Sequence, residues 1–144
     1  MNEFTFSEIT VGMKETFTRK ITSDMEDIFR KLSGDGNPLH SDDEFALEVG
    51  EGKFPGHVTF GMLTASFYST LAGMYLPGKY SLIHSFEELS FLKPVFAGDL
   101  LTVAGEVFEK EEAFGLIRIK AVIRNQYGNI VSRAKMKVLV MRRK

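Results

Sequence analysis

The feature that most constrains the fold is a long uncharged segment near the middle of the chain. No charged residue occurs from residue 58 to residue 78, and within residues 60–75 one set of residues recurs at helical spacing (Met62, Leu63, Ser66, Phe67, Thr70, Leu71 and Met74). The opposite side carries small residues instead of charged ones (Ala65, Ser69, Ala72 and Gly73). A helix without a charged face is typical of the protein interior. The segment contains Thr, Ser, Tyr and Gly residues, so we interpret it as a buried helix and not as a membrane span.

Strand patterns dominate the sequence after this helix. Residues 80–92 read as one long, bent strand, and residues 100–108 as the next. Two further segments alternate apolar with basic or polar residues, which is typical of half-buried antiparallel strands. They begin at residues 117 and 132, with a turn near Gly128 between them, and an earlier strand covers residues 16–21. The sequence therefore predicts an α+β architecture in which one antiparallel sheet of about five strands wraps a central helix.

Length and composition limit the classes of function. The 144 residues fit a single domain spanning 1–144, and the net charge of −1 gives no electrostatic reason to expect a nucleic acid or a membrane as partner. The absence of cysteine excludes disulfides, thiolate metal sites and cysteine catalysis. We expect a cytoplasmic protein with no signal peptide, no metal and no cofactor. A sheet with exposed edges needs pairing, so we also expect a homodimer.

A glycine-rich loop at residues 32–42 connects two short helical patterns. Ser23 and Glu26 predict a capping box for a first helix that ends near Leu32, with Met25, Ile28, Phe29 and Leu32 on one side. Gly34 is suited to the position after its end. Asp42 or Asp43 would cap a second helix over residues 44–49, which Gly50 ends.

Asp35 and His40 are the candidate chemical groups of this loop. If the segment were extended, they would lie roughly 16 Å apart. Gly34, Gly36 and Pro38 favour a curled path that would aim both side chains at one point. A carboxylate and an imidazole converging on a water form a general acid–base arrangement. The alternative is a surface connector in which Asp35 and Asn37 make Asx-turns and His40 has no role in chemistry.

The loop and its surroundings carry a resemblance to a known family. The segment Phe29-x-x-Leu32-Ser33-Gly34-Asp35-x-Asn37-Pro38-Leu39-His40, with Ala46 after it, resembles the signature of the MaoC-like, (R)-specific enoyl-CoA hydratases. Further elements agree in order and spacing: Gly61-Met62-Leu63, Ser66, Ser69, Leu76-Pro77-Gly78 and Phe91-x-x-Pro94-Val95-x-x-Gly98-Asp99. The resemblance spans about residues 17–107 with specific motifs.

The resemblance implies a fold, a reaction and a set of roles. It implies a hot-dog fold, a dimer with active sites near its interface, and reversible syn addition of water to a trans-2-enoyl-CoA to give an (R)-3-hydroxyacyl-CoA. Asp35 would be the principal base, and His40 would orient the water and share the proton transfer. Gly61, beside Met62, would bind the thioester oxygen, because Thr59 as cap leaves the first N–H groups of the helix free. Asn37 would hold the loop, and Ser69 would support the dyad.

One departure and several alternatives stay open. The family usually has His before the Gly-Met pair, where this chain has Phe60, and this change would affect contacts to the acyl or pantetheine part of the substrate. His57 and His84 are expected to be structural. The alternatives are a dehydratase for acyl-carrier-protein or other acyl thioesters, a non-catalytic acyl-CoA-binding domain, and a thioesterase. The complete Asp-x-Asn-Pro-Leu-His motif favours the hydratase.

Overall fold

The computed structural model describes residues 1–142. Along the chain, one strand is followed by a helical region and then by four strands. The strands are β1 (Lys14–Lys20), β2 (Ser81–Phe91), β3 (Leu100–Glu111), β4 (Leu116–Arg124) and β5 (Ile130–Val140). The helices are α1 (Ser23–Ser33), α2 (Asp43–Val49) and α3 (Gly61–Thr70), and α3 continues as a π-helical segment over Leu71–Tyr75.

The five strands form one antiparallel sheet in the order β1-β3-β4-β5-β2. β2 pairs with β5 on one side only, and its register shifts twice, between Ile83 and Ser85 and between Phe86 and Glu88. Such bulges bend a strand and increase its twist. The bent β2, the five-stranded sheet and the helix enclosed by it confirm the α+β hot-dog architecture predicted from the sequence.

The core lies between α3 and the concave face of the sheet. Phe67, Tyr68 and Leu71 from the helix pack against buried strand residues such as Ile119 and Met136. Tyr68 is fully buried, and its hydroxyl donates to Ser132 Oγ at 2.8 Å. Burial raises the pKa of Tyr68 to about 12, although the hydrogen bond to Ser132 opposes the shift. A buried phenol with a hydroxyl partner fixes the rotation of the helix over β5.

The start of α1 differs from the predicted capping box. Thr22, with extended backbone, is the cap, and its hydroxyl accepts from the Met25 N–H. The prediction of Ser23 and Glu26 as a reciprocal pair is therefore wrong, because the cap lies one residue earlier and Glu26 turns into the protein, where it is 2% exposed. The predicted end is confirmed, since Gly34 follows the helix in the left-handed conformation.

The apolar side predicted for α1 is only partly covered, with Met25 and Phe29 half-buried. Ile28 and Leu32 are 65% and 81% exposed, because the helix is rotated to place Glu26 against the protein. The second helix agrees with its prediction more closely. The Asp42 side chain accepts from the Phe45 N–H at its start, and Gly50 follows its end.

The central helix also begins differently from the prediction. Phe60, and not Thr59, occupies the cap position, and no side chain caps the helix. Gly61 is therefore the first helical residue and not the second. One stripe of α3 and its continuation is not covered: Met62, Ser66 and Ser69 are exposed and Gly73 is half-buried. Because this stripe carries no charged residue, the sequence alone predicted that every face of the helix is buried.

Within residues 1–142, no helix has both the length and the apolar character that crossing a membrane requires.

Candidate active site

The loop after α1 is held in a tight curve by its own polar groups. The Asp35 N–H donates to Ser33 Oγ at 3.2 Å, and Asp35 Oδ1 accepts from the Asn37 N–H at 3.0 Å. Asn37 Oδ1 in turn accepts from the Leu39 N–H at 3.0 Å and caps the single 3₁₀ turn Pro38–His40. These Asx-turns at Asp35 and Asn37 are the ones that the surface-connector interpretation predicted, and they curl the chain within a few residues.

The orientation of His40 is set by a residue far away in sequence. His40 Nδ1 lies 2.7 Å from the carbonyl oxygen of Val58. A carbonyl only accepts, so Nδ1 carries the proton, and Nε2 of the neutral ring is left with a lone pair. The ring is half-buried and packs on Phe60 with their centroids 4.2 Å apart. His40 therefore presents a basic nitrogen at a fixed position.

Phe60 takes the place where the resemblance leads one to expect histidine. Its ring is 2% exposed and lies between His40 and Phe29, whose centroid is 5.0 Å away. An aromatic wall thus covers one face of the imidazole. Phe60 provides packing at this position and no hydrogen-bonding group.

Gly61 begins α3 directly beside this wall. Because Phe60 has no acceptor to cap the helix, the first N–H groups of α3 remain available, and the helix dipole favours negative charge there. A Cβ at Gly61 would stand 3.3 Å from Cε1 of Phe91. The absence of a side chain therefore keeps space open between the helix start and β2.

Two cavities meet at this point. The first, of about 270 Å³, is lined by eight residues that include Asp35, His40, Gly61 and Met62. The second, of about 390 Å³, is mainly apolar and shares His40, Gly61 and Phe91 with the first. The structure thus brings together four of the six residues that the sequence predicted for the site.

The two other predicted residues lie outside these cavities. Asn37 Oδ1 caps its own turn, so Asn37 acts on the loop. Ser69 lies on the exposed stripe of α3, eight residues beyond Gly61 and roughly 12 Å further along the helix axis. It lines neither cavity, and its predicted support of the dyad stays a prediction.

A polar cluster around His57 and Thr59, the two neighbours of Val58, was not predicted from the sequence. Glu26 Oε2 accepts from Thr59 Oγ1 at 3.0 Å, and Glu26 Oε1 lies 3.1 Å from His57 Nε2. His57 Nδ1 lies 2.6 Å from Asp43 Oδ1. The sequence predicts Glu26 as part of a capping box with Ser23 and His57 as a solvated or satisfied structural histidine. The one feature of the sequence that could have indicated the cluster is the position of Glu26 on the inward side of the amphipathic helix α1.

The electrostatics of this cluster favour a charged histidine. Burial by itself would lower the pKa of His57, but the hydrogen bonds with Asp43 and Glu26 and their negative charges outweigh it, so the pKa is raised. The pKa of Asp43 is lowered, chiefly because its carboxylate accepts the backbone N–H of His57 and then the ring. Among the described residues, no three acidic or imidazole groups gather as a metal site.

Comparison with known proteins agrees with this geometry. The family model described as "MaoC like domain" matches residues 7–126. The chain belongs to the MaoC-like domain family. The family resemblance inferred from the loop motif is thereby confirmed.

Individual relatives of this MaoC-like chain point to hydratases and dehydratases. It is 40% identical over 99 residues to the (R)-specific enoyl-CoA hydratase of Aeromonas caviae, covering 69% of this chain and 71% of that protein. The R-hydratase PhaJ1 of Pseudomonas aeruginosa superposes with a TM-score of 0.88 at 28% identity, covering 98% of this chain and 88% of the other. A mitochondrial 3-hydroxyacyl-[acyl-carrier-protein] dehydratase of Arabidopsis thaliana is 32% identical over 82 residues, covering 57% of this chain and 46% of that protein.

Proposed function

We propose that this chain is a hydro-lyase, an (R)-specific enoyl-CoA hydratase that adds water reversibly to a trans-2-enoyl-CoA and gives an (R)-3-hydroxyacyl-CoA. The observation that carries the proposal is the shared cavity of Asp35, His40 and Gly61. It combines two proton-transferring groups with the uncapped start of a helix. The named hydratase relatives bear out the same function.

The first step is the activation of one water between Asp35 and His40. Asp35 is the principal base and takes the proton, while His40 Nε2 orients the water and shares the transfer. The hydroxide oxygen bonds to the β-carbon. The π electrons of the double bond move toward the α-carbon and the thioester oxygen.

The second requirement is a place for this negative charge. The N–H groups at Gly61 and the dipole of α3 face the thioester oxygen and stabilise the charge as it develops. The α-carbon then takes back the proton that the dyad removed, which restores both side chains. Because the dyad delivers both the hydroxide and the proton from one face of the substrate, the addition is syn.

A dehydratase acting on acyl-carrier-protein thioesters is the second candidate. A relative with that name supports it, and the same dyad would run the elimination. The covered share of that relative is smaller than that of the Aeromonas hydratase, which favours the CoA thioester. A parallel assay with the same acyl group on CoA and on carrier protein separates the two.

The proposal includes a homodimer joined through β2. The outer edge of β2 has no partner strand in the described sheet, and Leu82 and Phe86 on it are 54% and 40% exposed. Met62 belongs to the uncovered stripe of α3 and also lines the cavity. Covering both surfaces with a second copy would place each active site near the interface. The cytoplasmic location stays a prediction.

The test is the hydration of crotonyl-CoA followed by determination of the product's configuration. Loss of enoyl absorbance with formation of 3-hydroxybutyryl-CoA is expected. The product should resist an (S)-specific 3-hydroxyacyl-CoA dehydrogenase. Complete oxidation by that dehydrogenase would contradict the stereochemical assignment. Absence of hydration with any enoyl-CoA, in a folded protein, would contradict the function.

A further inference from the structure

We propose that Glu26 is a positioning residue that holds the Val58 carbonyl in place for His40; the proposal rests on the proposed function of the dyad. Glu26 lies on α1, and it does not line either cavity. It acts through the two neighbours of Val58, and it never touches the substrate.

The two neighbours of Val58 are both bound to the same carboxylate. Thr59 Oγ1 donates to Glu26 Oε2 at 3.0 Å, and His57 Nε2 lies 3.1 Å from Glu26 Oε1. One side chain on α1 therefore fixes the residues before and after the carbonyl that orients His40. Since each oxygen of Glu26 has its own partner, rotation of the carboxylate would break both contacts.

The backbone of the same three residues is bound as well. The N–H of His57 donates to Asp43 Oδ1 at 2.8 Å, that of Val58 to the Leu39 carbonyl at 2.9 Å, and that of Thr59 to the Val95 carbonyl at 2.7 Å. The Val58 carbonyl is left to accept from His40 Nδ1. The segment is thus fixed from α1, α2, the catalytic loop and the connection between β2 and β3.

Stability alone does not explain a carboxylate at this position. Replacing buried charged pairs by apolar groups of similar volume is often neutral or stabilising. Glu26 is 2% exposed on the inward face of α1, where an apolar residue would satisfy packing. A carboxylate that binds both neighbours of a site-orienting carbonyl is instead suited to geometric control of that carbonyl.

The network also ties His40 to the charge of His57. Of the described residues, Glu26 on α1 and Asp43 on α2 are those whose charges act on the His57 ring, and each faces a different ring nitrogen. Only the imidazolium can donate to both carboxylates, since a neutral ring has one N–H. Both contacts of the His57 ring, with Glu26 and with Asp43, are therefore hydrogen bonds only when His57 is protonated. As pH rises through the raised pKa of His57, one contact is lost and the hold on Val58 weakens.

The experiment compares Glu26→Gln with Glu48→Gln, which removes an exposed carboxylate from α2 as a matched control. A second pair, Thr59→Val and Thr59→Ser, removes or keeps the hydroxyl that reaches Glu26. Each variant is assayed for kcat and KM with crotonyl-CoA between pH 6 and 9. Long-range ¹H–¹⁵N NMR of the three histidines reads the tautomer of His40 directly.

The expected result for Glu26→Gln is a kcat lower by about tenfold with a KM changed less than threefold, because displacing a catalytic group by about 1 Å can slow a reaction about 10²-fold. Its alkaline loss of kcat should shift relative to the parent, and the NMR signals of His40 should move from the Nδ1–H tautomer toward a mixture. Thr59→Ser should stay closer to the parent than Thr59→Val in both readouts.

The proposal is overturned if Glu26→Gln matches Glu48→Gln in kcat, pH profile and His40 tautomer. If Glu26→Gln does not fold, the Thr59 pair decides in the same way, and equal values for Val and Ser overturn it. A parent protein that hydrates no enoyl-CoA would refute the proposed function alone. In that case the His40 tautomer still reports whether Glu26 and Thr59 position the ring.

Discussion

His40 Nδ1 and the carbonyl oxygen of Val58 lie 2.7 Å apart, across 18 positions of sequence. This contact decides which imidazole nitrogen carries the proton, and so leaves Nε2 as the basic atom of the site. A short loop supplies both Asp35 and His40, but the segment that precedes α3 gives His40 its orientation.

The dyad should be essential for turnover and dispensable for folding. Asp35→Asn and His40→Gln each remove a proton-transferring group while keeping the shape of the side chain. We expect kcat to fall by about 10² or more, the scale of general acid–base catalysis. Asp24→Asn, which alters an exposed carboxylate on α1, serves as the control. Near-normal hydration by either dyad variant, with unchanged circular dichroism, would refute the assignment.

Gly61→Ala should lower activity without lowering stability. The new methyl group would stand 3.3 Å from the Phe91 ring, which is 48% exposed and able to shift. Alanine also favours a helix over glycine by about 1 kcal/mol, so the unfolding midpoint should stay equal or rise. The methyl group would nevertheless narrow the approach to the helix start. Steady-state kinetics and urea unfolding of the same preparation give both values, and unaffected kcat/KM would remove Gly61 from the substrate site.

The assembly should be a dimer of a 16.2 kDa chain. Leu82→Lys places a charge on the exposed edge strand and should produce monomers at micromolar concentration, because an unpaired charge in an apolar interface is unfavourable. Tyr127→Lys, at the turn between β4 and β5, changes a side chain that is 78% exposed and should leave the mass unchanged. Light scattering distinguishes the two states. A monomeric parent protein would contradict the proposed assembly.

Stability should decrease on the alkaline side of neutrality through His57. Its pKa is raised in the folded protein above the ordinary value of 6.5. The folded state then binds the proton more tightly than the unfolded state, so the stabilisation is complete below about pH 6.5 and is lost as pH rises through the raised value. Urea unfolding between pH 5.5 and 8.5 measures the decline. His57→Gln should flatten it, whereas His84→Gln should retain it; an equal slope in both variants would assign the decline to other groups.

The pair of Tyr68 and Ser132 should stabilise the packing of the helix on the sheet. Tyr68→Phe removes the buried hydroxyl and leaves Ser132 Oγ without its partner at 2.8 Å, so we expect a loss of about 1–2 kcal/mol. Adding Ser132→Ala to that variant should restore part of the loss, since no unpaired hydroxyl then remains. A double-mutant cycle by urea unfolding measures the coupling. Additive losses would mean that the two hydroxyl groups do not interact.

Local patterns were sufficient to predict the elements. Alternation placed β3, β4 and β5 to within a few residues, because a half-buried strand must present one side chain in two to the core. Gly34 and Gly50 marked the ends of two helices, since positive φ or a tight exit favours glycine there. The Asp-x-Asn-Pro-Leu-His motif indicated the MaoC-like family, because neither helix nor strand propensity explains these residue types.

Other features could not be predicted because they depend on contacts distant in sequence. Ser23 and Thr22 are both good caps, and the packing of Glu26 against Thr59 accompanies the choice of Thr22. The residue before α3 is Phe60 and not the predicted Thr59, because the Thr59 hydroxyl is already bound to Glu26. The exposure of Ile28 and Leu32 follows from the resulting rotation of α1.

The sequence by itself determined the sheet, the central helix and the presence of Asp35 and His40 on one curled loop. Periodicity and turn chemistry act over a few residues, so they can be read without knowing the rest of the fold. Only the tertiary structure decided which nitrogen of His40 binds the Val58 carbonyl and which carboxylate binds the two neighbours of Val58. Those outcomes depend on hydrogen bonds between α1, the catalytic loop and the start of α3, which come together only when the sheet closes around the helix.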